Sequence, residues 1–259
     1  MAGDLAAAAS ALAAAGCDTP RLDAELLLAH ALGTDRAGVV ALHDGPPPPA
    51  FAGYVERRAR REPVAYIVGS KAFRRIELLV DRRVLIPRPE TETLVEAALE
   101  LLADGAPVHD VGTGSGCVAL ALKDERPDLA VTGSDASAAA VEVARANAER
   151  LGLDVAFAVA RELPAGEFDL VTANLPYVRE DEWAALAPEI TTYEPRDALV
   201  AGTDGLAAIR ALVAGAPAGT RLALEHAPDQ AGTVRALLRA AETRRDLAGR
   251  ERVTVGAVP

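Results

Sequence analysis

Residues 107–116 read Pro-Val-His-Asp110-Val-Gly112-Thr113-Gly114-Ser115-Gly116, a short apolar run that passes into a turn with glycine at every second position. The run reads as a buried strand. Glycines at 112, 114 and 116 allow tight backbone turns and close approach of a ligand. The apolar stretch that follows reads as a helix whose N-terminus opens at Gly116. The same rhythm runs through the neighbouring sequence. A helix is expected near 91–103, strands at 129–134, 153–159, 168–173, 220–225 and 251–257, and helices at 137–151, 205–214 and 229–242. Such alternation predicts an α/β domain with a mostly parallel sheet and helices on both faces.

The N-terminal stretch, positions 1–70, reads differently. Leu22, Leu26 and Leu27 recur at helical spacing, and the proline run at 46–49 marks a loop between short helices. Residues 1–16 are alanine-rich, carry Asp4 and lack a basic start, so they read as a first helix rather than a signal peptide. Residues 71–86 alternate charged and apolar side chains, which predicts a hairpin or two short strands. The expected organisation is therefore a helical N-terminal domain over 1–70, a linking hairpin over 71–86 and an α/β domain over 87–259. No run of about 20 apolar residues exists to span a membrane. Cys17 and Cys117 give neither a disulfide framework nor a metal pattern, and the four histidines are scattered. A reducing cytoplasm, a monomer and no metal are expected.

The glycine spacing is G-x-G-x-G, because Cys117 stands where a dinucleotide fingerprint would place glycine or alanine. An acid at 110 favours a cationic ligand end over a pyrophosphate. The next strand ends at Asp135, where a carboxylate would accept hydrogen bonds from ribose hydroxyls. S-adenosylmethionine fits, with its ribose, adenine and positive sulfonium tail. A second polar constellation lies at 174–177, Asn174-Leu175-Pro176-Tyr177, directly after the strand expected at 168–173. It offers a side-chain carbonyl, a backbone carbonyl and a π face, a set that suits a planar NH2 group.

At these motifs the chain resembles the release-factor glutamine methyltransferases, the HemK/PrmC type. Ile86-Pro-Arg-Pro-Glu-Thr-Glu92, the 110–116 turn, Asn174-Leu-Pro-Tyr177, Tyr193-Glu-Pro-Arg196 through Gly205-Leu, Leu224-Glu-His226 and the closing stretch 246–253 carry the likeness. The resemblance implies a Rossmann-like, seven-stranded S-adenosylmethionine-dependent methyltransferase domain, preceded by a small helical domain that helps dock the substrate. It implies methyl transfer to the glutamine nitrogen of a Gly-Gly-Gln motif in class-1 peptide chain release factors. Asp110, Gly112, Thr113, Gly114, Ser115, Gly116 and Asp135 would bind the cofactor, together with Asn174. Asn174 and Tyr177 would serve catalysis, and Asn174, Leu175, Pro176 and Tyr177 would hold the glutamine.

Two positions depart from the family pattern. Leu175 replaces the first proline of Asn-Pro-Pro-Tyr, but the acceptor there is a main-chain carbonyl, which leucine still supplies. After the third strand the family carries an acid near the adenine, whereas this chain reads Val159-Ala160-Arg161-Glu162. Rival readings are methylation of another protein glutamine, as in a ribosomal protein, adenine-N6 methylation of nucleic acid, and a non-catalytic binding module. The net charge of −11, with 15 basic against 27 acidic residues over 91–259, argues against a nucleic-acid groove. Residues 51–90 hold 10 basic against 5 acidic residues, a basic island around Arg57, Arg58, Arg60 and Arg61. By default that is a solvated helix face; alternatively it attracts an acidic partner.

Overall fold

The computed structural model describes residues 2–41 and 45–259; Met1 and positions 42–44, which fall in the stretch expected to be helical, lie outside them. The chain runs through α1 (Ala2–Ala14), α2 (Pro20–Leu32), α3 (Arg36–Ala41), α4 (Ala50–Ala59) and α5 (Val64–Val68). A hairpin of β1 (Ser70–Phe73) and β2 (Ile76–Leu79) follows, then α6 (Glu92–Leu101), β3 (Pro107–Val111), α7 (Cys117–Glu125), β4 (Ala130–Asp135) and α8 (Ala138–Leu151). Next come β5 (Ala156–Val159), β6 (Leu170–Ala173), α9 (Pro188–Tyr193), α10 (Ala207–Gly215), β7 (Arg221–Glu225), α11 (Ala231–Ala236), β8 (Arg239–Arg245) and β9 (Glu251–Ala257). Two compact units result, one of residues 1–70 with 187–193, the other of residues 71–186 with 194–259. The segment 187–193, which the sequence places inside the C-terminal stretch, clusters with the N-terminal helices.

Within the first unit, Leu5, Leu12, Leu27, Leu28, Phe51 and Ile67 form an apolar core. An ion network sits against it. Arg58, buried, donates through Nε to Asp23 at 2.7 Å and through Nη1 to Glu189 at 2.8 Å. Arg61 grips the same Glu189 carboxylate with two hydrogen bonds of 2.7 and 2.6 Å, and Arg57 holds Glu62 with two of 2.9 Å. Three of the four arginines of the basic island are therefore committed inside the unit, and Arg60 remains exposed. The solvated basic face read from the sequence is corrected accordingly: most of its charges meet acids, and Asp23 and Glu189 come from far along the chain.

The second unit is built on a seven-stranded sheet in the order β5-β4-β3-β6-β7-β9-β8. β3, β4, β5, β6 and β7 are parallel neighbours, and β9 runs antiparallel to β7 and β8. Alternate residues face opposite sides of the sheet. Leu170 and Ala223 join the cluster with α6, α7 and α8, whereas Val171, Leu222 and Leu224 join the cluster with α10 and α11. Helix ends follow local chemistry. Ser137 Oγ accepts the Ala140 amide at the start of α8, and Gly152 closes that helix in a left-handed conformation.

One element differs from expectation. The helix foreseen over 229–242 is only α11, and the chain then turns into β8. Arg239–Arg245 contains two alanines and no apolar alternation, so its residues alone do not announce a strand. Pairing with β9 supplies the hydrogen bonds, and as an edge strand it needs no second buried face. Among the described residues no helix is long and apolar enough to cross a membrane, and no cluster of His, Cys, Asp and Glu gathers as for a metal ion.

Candidate active site

Strand order reverses between the neighbours β3 and β6, with β4 and β5 following outward on one side and β7 on the other, and ligands of open α/β sheets bind outside the carboxyl ends of the strands at such a point. The sequence-chosen residues converge on this edge within the second unit. Asp110 lies near the end of β3, 2% exposed, and its Oδ1 accepts the Thr172 hydroxyl of β6 at 2.8 Å. Burial pushes its carboxyl up to about 6, against the pull of the Thr113 and Thr172 hydroxyls.

The glycine turn has committed most of its amides internally. The Gly112 and Thr113 N–H groups donate to the Ser134 carbonyl at 2.8 and 2.9 Å, Gly114 N–H to Asp135 Oδ2 at 2.9 Å, and Gly116 N–H to the Thr113 carbonyl at 2.8 Å. Asp135, half-buried, also takes the Ser137 amide on Oδ1 at 2.8 Å. Each carboxylate oxygen keeps a second acceptor site. The turn thus presents glycine surface and carboxylates rather than a nest of free amides, which suits hydroxyls and a positive charge better than a phosphate. A side chain at Gly114 would enter open space, so the backbone is approachable there. Thr113 Oγ1 and Ser115 Oγ are buried without a full hydrogen bond. Beside the turn, Val159 is in register with Asp135 on the neighbouring strand and is 54% exposed, while Glu162 is exposed.

Asn174 follows directly on β6. Its Nδ2 donates to Thr91 Oγ1 at 3.0 Å. An amide side chain has one donating and one accepting end, so this bond turns the Asn174 carbonyl the other way. Leu175 reaches across to the glycine turn and packs into the second apolar cluster. The Tyr177 hydroxyl donates to Glu225 Oε1 at 3.3 Å, and burial raises the phenol well above its usual range. The Tyr177 carbonyl accepts Gln230 Nε2 at 2.9 Å. A Cβ on Gly205 would sit 2.1 Å from that same carbonyl. With its positive φ as well, this position accepts only glycine beneath the loop.

Sequence reasoning missed Thr91, Gly205, Glu225 and Gln230 as parts of this site, although three of the four lie in quoted motifs. His226 is not poised for acid–base work: its Nδ1 bonds the Ala227 carbonyl and its Nε2 the Thr254 hydroxyl, both at 2.8 Å. Burial holds the Cys117 thiol up at about 12, so it is a packed neutral group rather than a nucleophile. Glu194 is structural, accepting the Ile86 amide at 3.1 Å and an ion pair from Arg88.

Comparisons with known proteins bear on the family and the fold. Residues 5–69 match the family model described as PrmC N-terminal domain, and residues 108–193 match that of a methyltransferase domain. The release factor glutamine methyltransferase of Xylella fastidiosa is 45% identical, over 96% of this chain and 97% of its own. That of Cereibacter sphaeroides is 43% identical, over 98% of this chain and 97% of its own. Among solved structures, a methyltransferase from Pyrococcus furiosus superposes with a TM-score of 0.51 at 17% identity, covering 77% of this chain and 96% of that one, and so shares the fold. A seven-stranded sheet with its glycine turn at the point of strand reversal, and this identity along nearly the whole length, define the chain as a methyltransferase that belongs to the release factor glutamine methyltransferase family.

Proposed function

We propose that the enzyme transfers the methyl group of S-adenosylmethionine to the side-chain nitrogen N5 of a glutamine, the one in the Gly-Gly-Gln motif of a class-1 peptide chain release factor. The observation that carries this reading is the orientation of Asn174, whose NH2 is held by Thr91 so that its carbonyl is presented as an acceptor.

An amide nitrogen is a poor nucleophile because its lone pair is delocalised into the carbonyl. A glutamine NH2 donating to Asn174 Oδ1 and to the Leu175 backbone carbonyl has electron density pushed back onto nitrogen, and both bonds fix its direction of attack. Pro176 shapes the slot and Tyr177 provides the stacking face. Catalysis is then alignment and preorganised polarity without a strong base. The proton leaves to solvent, since Asn174 is a poor acceptor for it.

S-adenosylmethionine, when bound, supplies an electrophilic methyl group on a positive sulfonium. Gly112, Thr113, Gly114, Ser115 and Gly116 would cradle it, Asp110 would face its cationic tail and Asp135 would accept its ribose hydroxyls. Val159 would offer the adenine an aliphatic wall where the family carries an acid after the third strand. The enzyme works in the cytoplasm as a monomer, and the N-terminal helical unit docks the release factor.

Asn174→Ala tests the reading. Transfer should nearly vanish through the chemical step, by about 2–4 kcal/mol of barrier, with cofactor affinity and melting temperature largely kept. An unfolded variant, or one with wild-type turnover, contradicts the assignment.

A further inference from the structure

One residue of the site stands outside every motif quoted from the sequence. Gln230 lies just before α11, in the turn that follows β7, and is 6% exposed. Its side-chain amide joins three stretches of chain. Nε2 donates to the Tyr177 carbonyl at 2.9 Å and to the Asp204 carbonyl at 3.2 Å, while Oε1 accepts the Ala227 amide at 3.0 Å. These partners fix which way the amide points. Reversed, its oxygen would face two carbonyl oxygens and its NH2 would face an N–H.

The two carbonyls that Gln230 grips flank a short pairing of the chain that leaves the acceptor slot. The Val178 N–H donates to the Leu199 carbonyl at 2.8 Å, and the Ala201 N–H donates to the Val178 carbonyl at 3.0 Å. Tyr177 stands directly before this pairing and Asp204 shortly after it. Glycine at 205 leaves the space that the amide fills, since a Cβ there would lie 2.5 Å from Gln230 Nε2.

We infer that Gln230 is a positioning residue of the methyl transfer: by holding the Tyr177 and Asp204 carbonyls on one NH2 group, it fixes the backbone at the Tyr177 end of the slot. Thr91 holds the Asn174 side chain at the other end. Only a planar group with two donors and one acceptor satisfies all three backbone partners of Gln230. The Leu175 carbonyl and the Tyr177 ring belong to the segment whose end is held, and a displacement of about 1 Å at a reacting group costs on the order of a hundredfold in rate. The inference rests on the reading of 174–177 as the glutamine slot and adds what holds its far end.

The test is steady-state methyl transfer by the full-length enzyme to a recombinant release factor at several pH values, with cofactor affinity and melting temperature measured on each variant. Gln230→Met fills the space without donors. It should lower kcat about tenfold or more at every pH, with KM for the release factor and cofactor affinity little changed. Gln230→Glu keeps the shape and the acceptor for Ala227. Ionised, it sets a carboxylate against two carbonyl oxygens; protonated, it returns one donor, and burial favours that neutral form. Its kcat relative to the unaltered enzyme should therefore rise as pH falls. Asp204 and Asp229 are held by Arg210 and Arg179, and Glu225, His226 and Arg252 lie at the adjoining ends of β7 and β9. All are common to both enzymes, so the ratio isolates the introduced carboxyl.

Should Gln230→Met fail to fold, the Gln230→Glu ratio decides alone. Unchanged kcat in a folded Gln230→Met enzyme, or a Gln230→Glu ratio that is flat with pH, would overturn the inference. Asn174→Ala, run alongside, separates the two claims: an active Asn174→Ala enzyme refutes the acceptor reading, whereas an inactive one beside an active Gln230→Met enzyme refutes the role of Gln230 alone.

Discussion

The Leu175 side chain occupies the space that a Cβ on Gly112 would need, with Cδ2 2.8 Å from that position. The residue that departs from the family tetrapeptide therefore packs on the glycine turn and joins it to the 174–177 loop. Gly112→Ala meets both this contact and a left-handed backbone. It should destabilise by more than about 1 kcal/mol. Adding Leu175→Ala should return part of that loss, a coupling of at least about 0.5 kcal/mol in a denaturation cycle. Leu175→Pro keeps the backbone carbonyl and should hold methylation within about tenfold, or about 1.4 kcal/mol of barrier. A thousandfold loss in a folded, cofactor-binding variant would mean that the leucine side chain itself shapes the acceptor slot.

Asp110 should give cofactor binding a pH dependence. Its carboxyl is raised to about 6 by burial, and a cationic ligand prefers the ionised form. Affinity should be level above that value and fall as pH drops through it, approaching about tenfold per pH unit once the protonated form dominates. Asp110→Asn should bind weakly and without this slope. Calorimetry across the range decides it, and a flat wild-type profile would remove Asp110 from the ligand.

What was legible in the sequence was local. The 107–116 strand and turn, Asp135 at the end of the next strand and Asn174 to Tyr177 after β6 are contiguous signals, and the structure sets them on one edge of the sheet. What was hidden depends on partners far along the chain. Thr91 meets Asn174 across 83 positions, and Arg58 meets Glu189 across 131. A count of basic residues cannot show that such charges are already paired. β8 was hidden for a related reason, since an exposed edge strand is defined by its pairing with β9 and not by an apolar pattern.

The ion network of the first unit changes what its arginines are expected to do. Removing Arg58 takes the cation from the buried Asp23 carboxylate, while Glu189 keeps Arg61. Arg58→Ala should therefore destabilise by about 3–5 kcal/mol. Arg60 is exposed. Its replacement by alanine should change stability by no more than roughly 0.5 kcal/mol, as for an ordinary surface position. Chemical denaturation of the two variants checks the contrast. Equal effects would show that the Arg58 pairs contribute no more than a surface charge.

The identity of the methyl acceptor is tested most directly by incubating the purified enzyme with methyl-labelled S-adenosylmethionine and a recombinant class-1 release factor, then mapping the label by mass spectrometry. The result expected is a single methyl group on the side-chain nitrogen of the Gly-Gly-Gln glutamine, absent with the Asn174→Ala enzyme. A label on any other residue, or none from an enzyme that binds the cofactor, would contradict it.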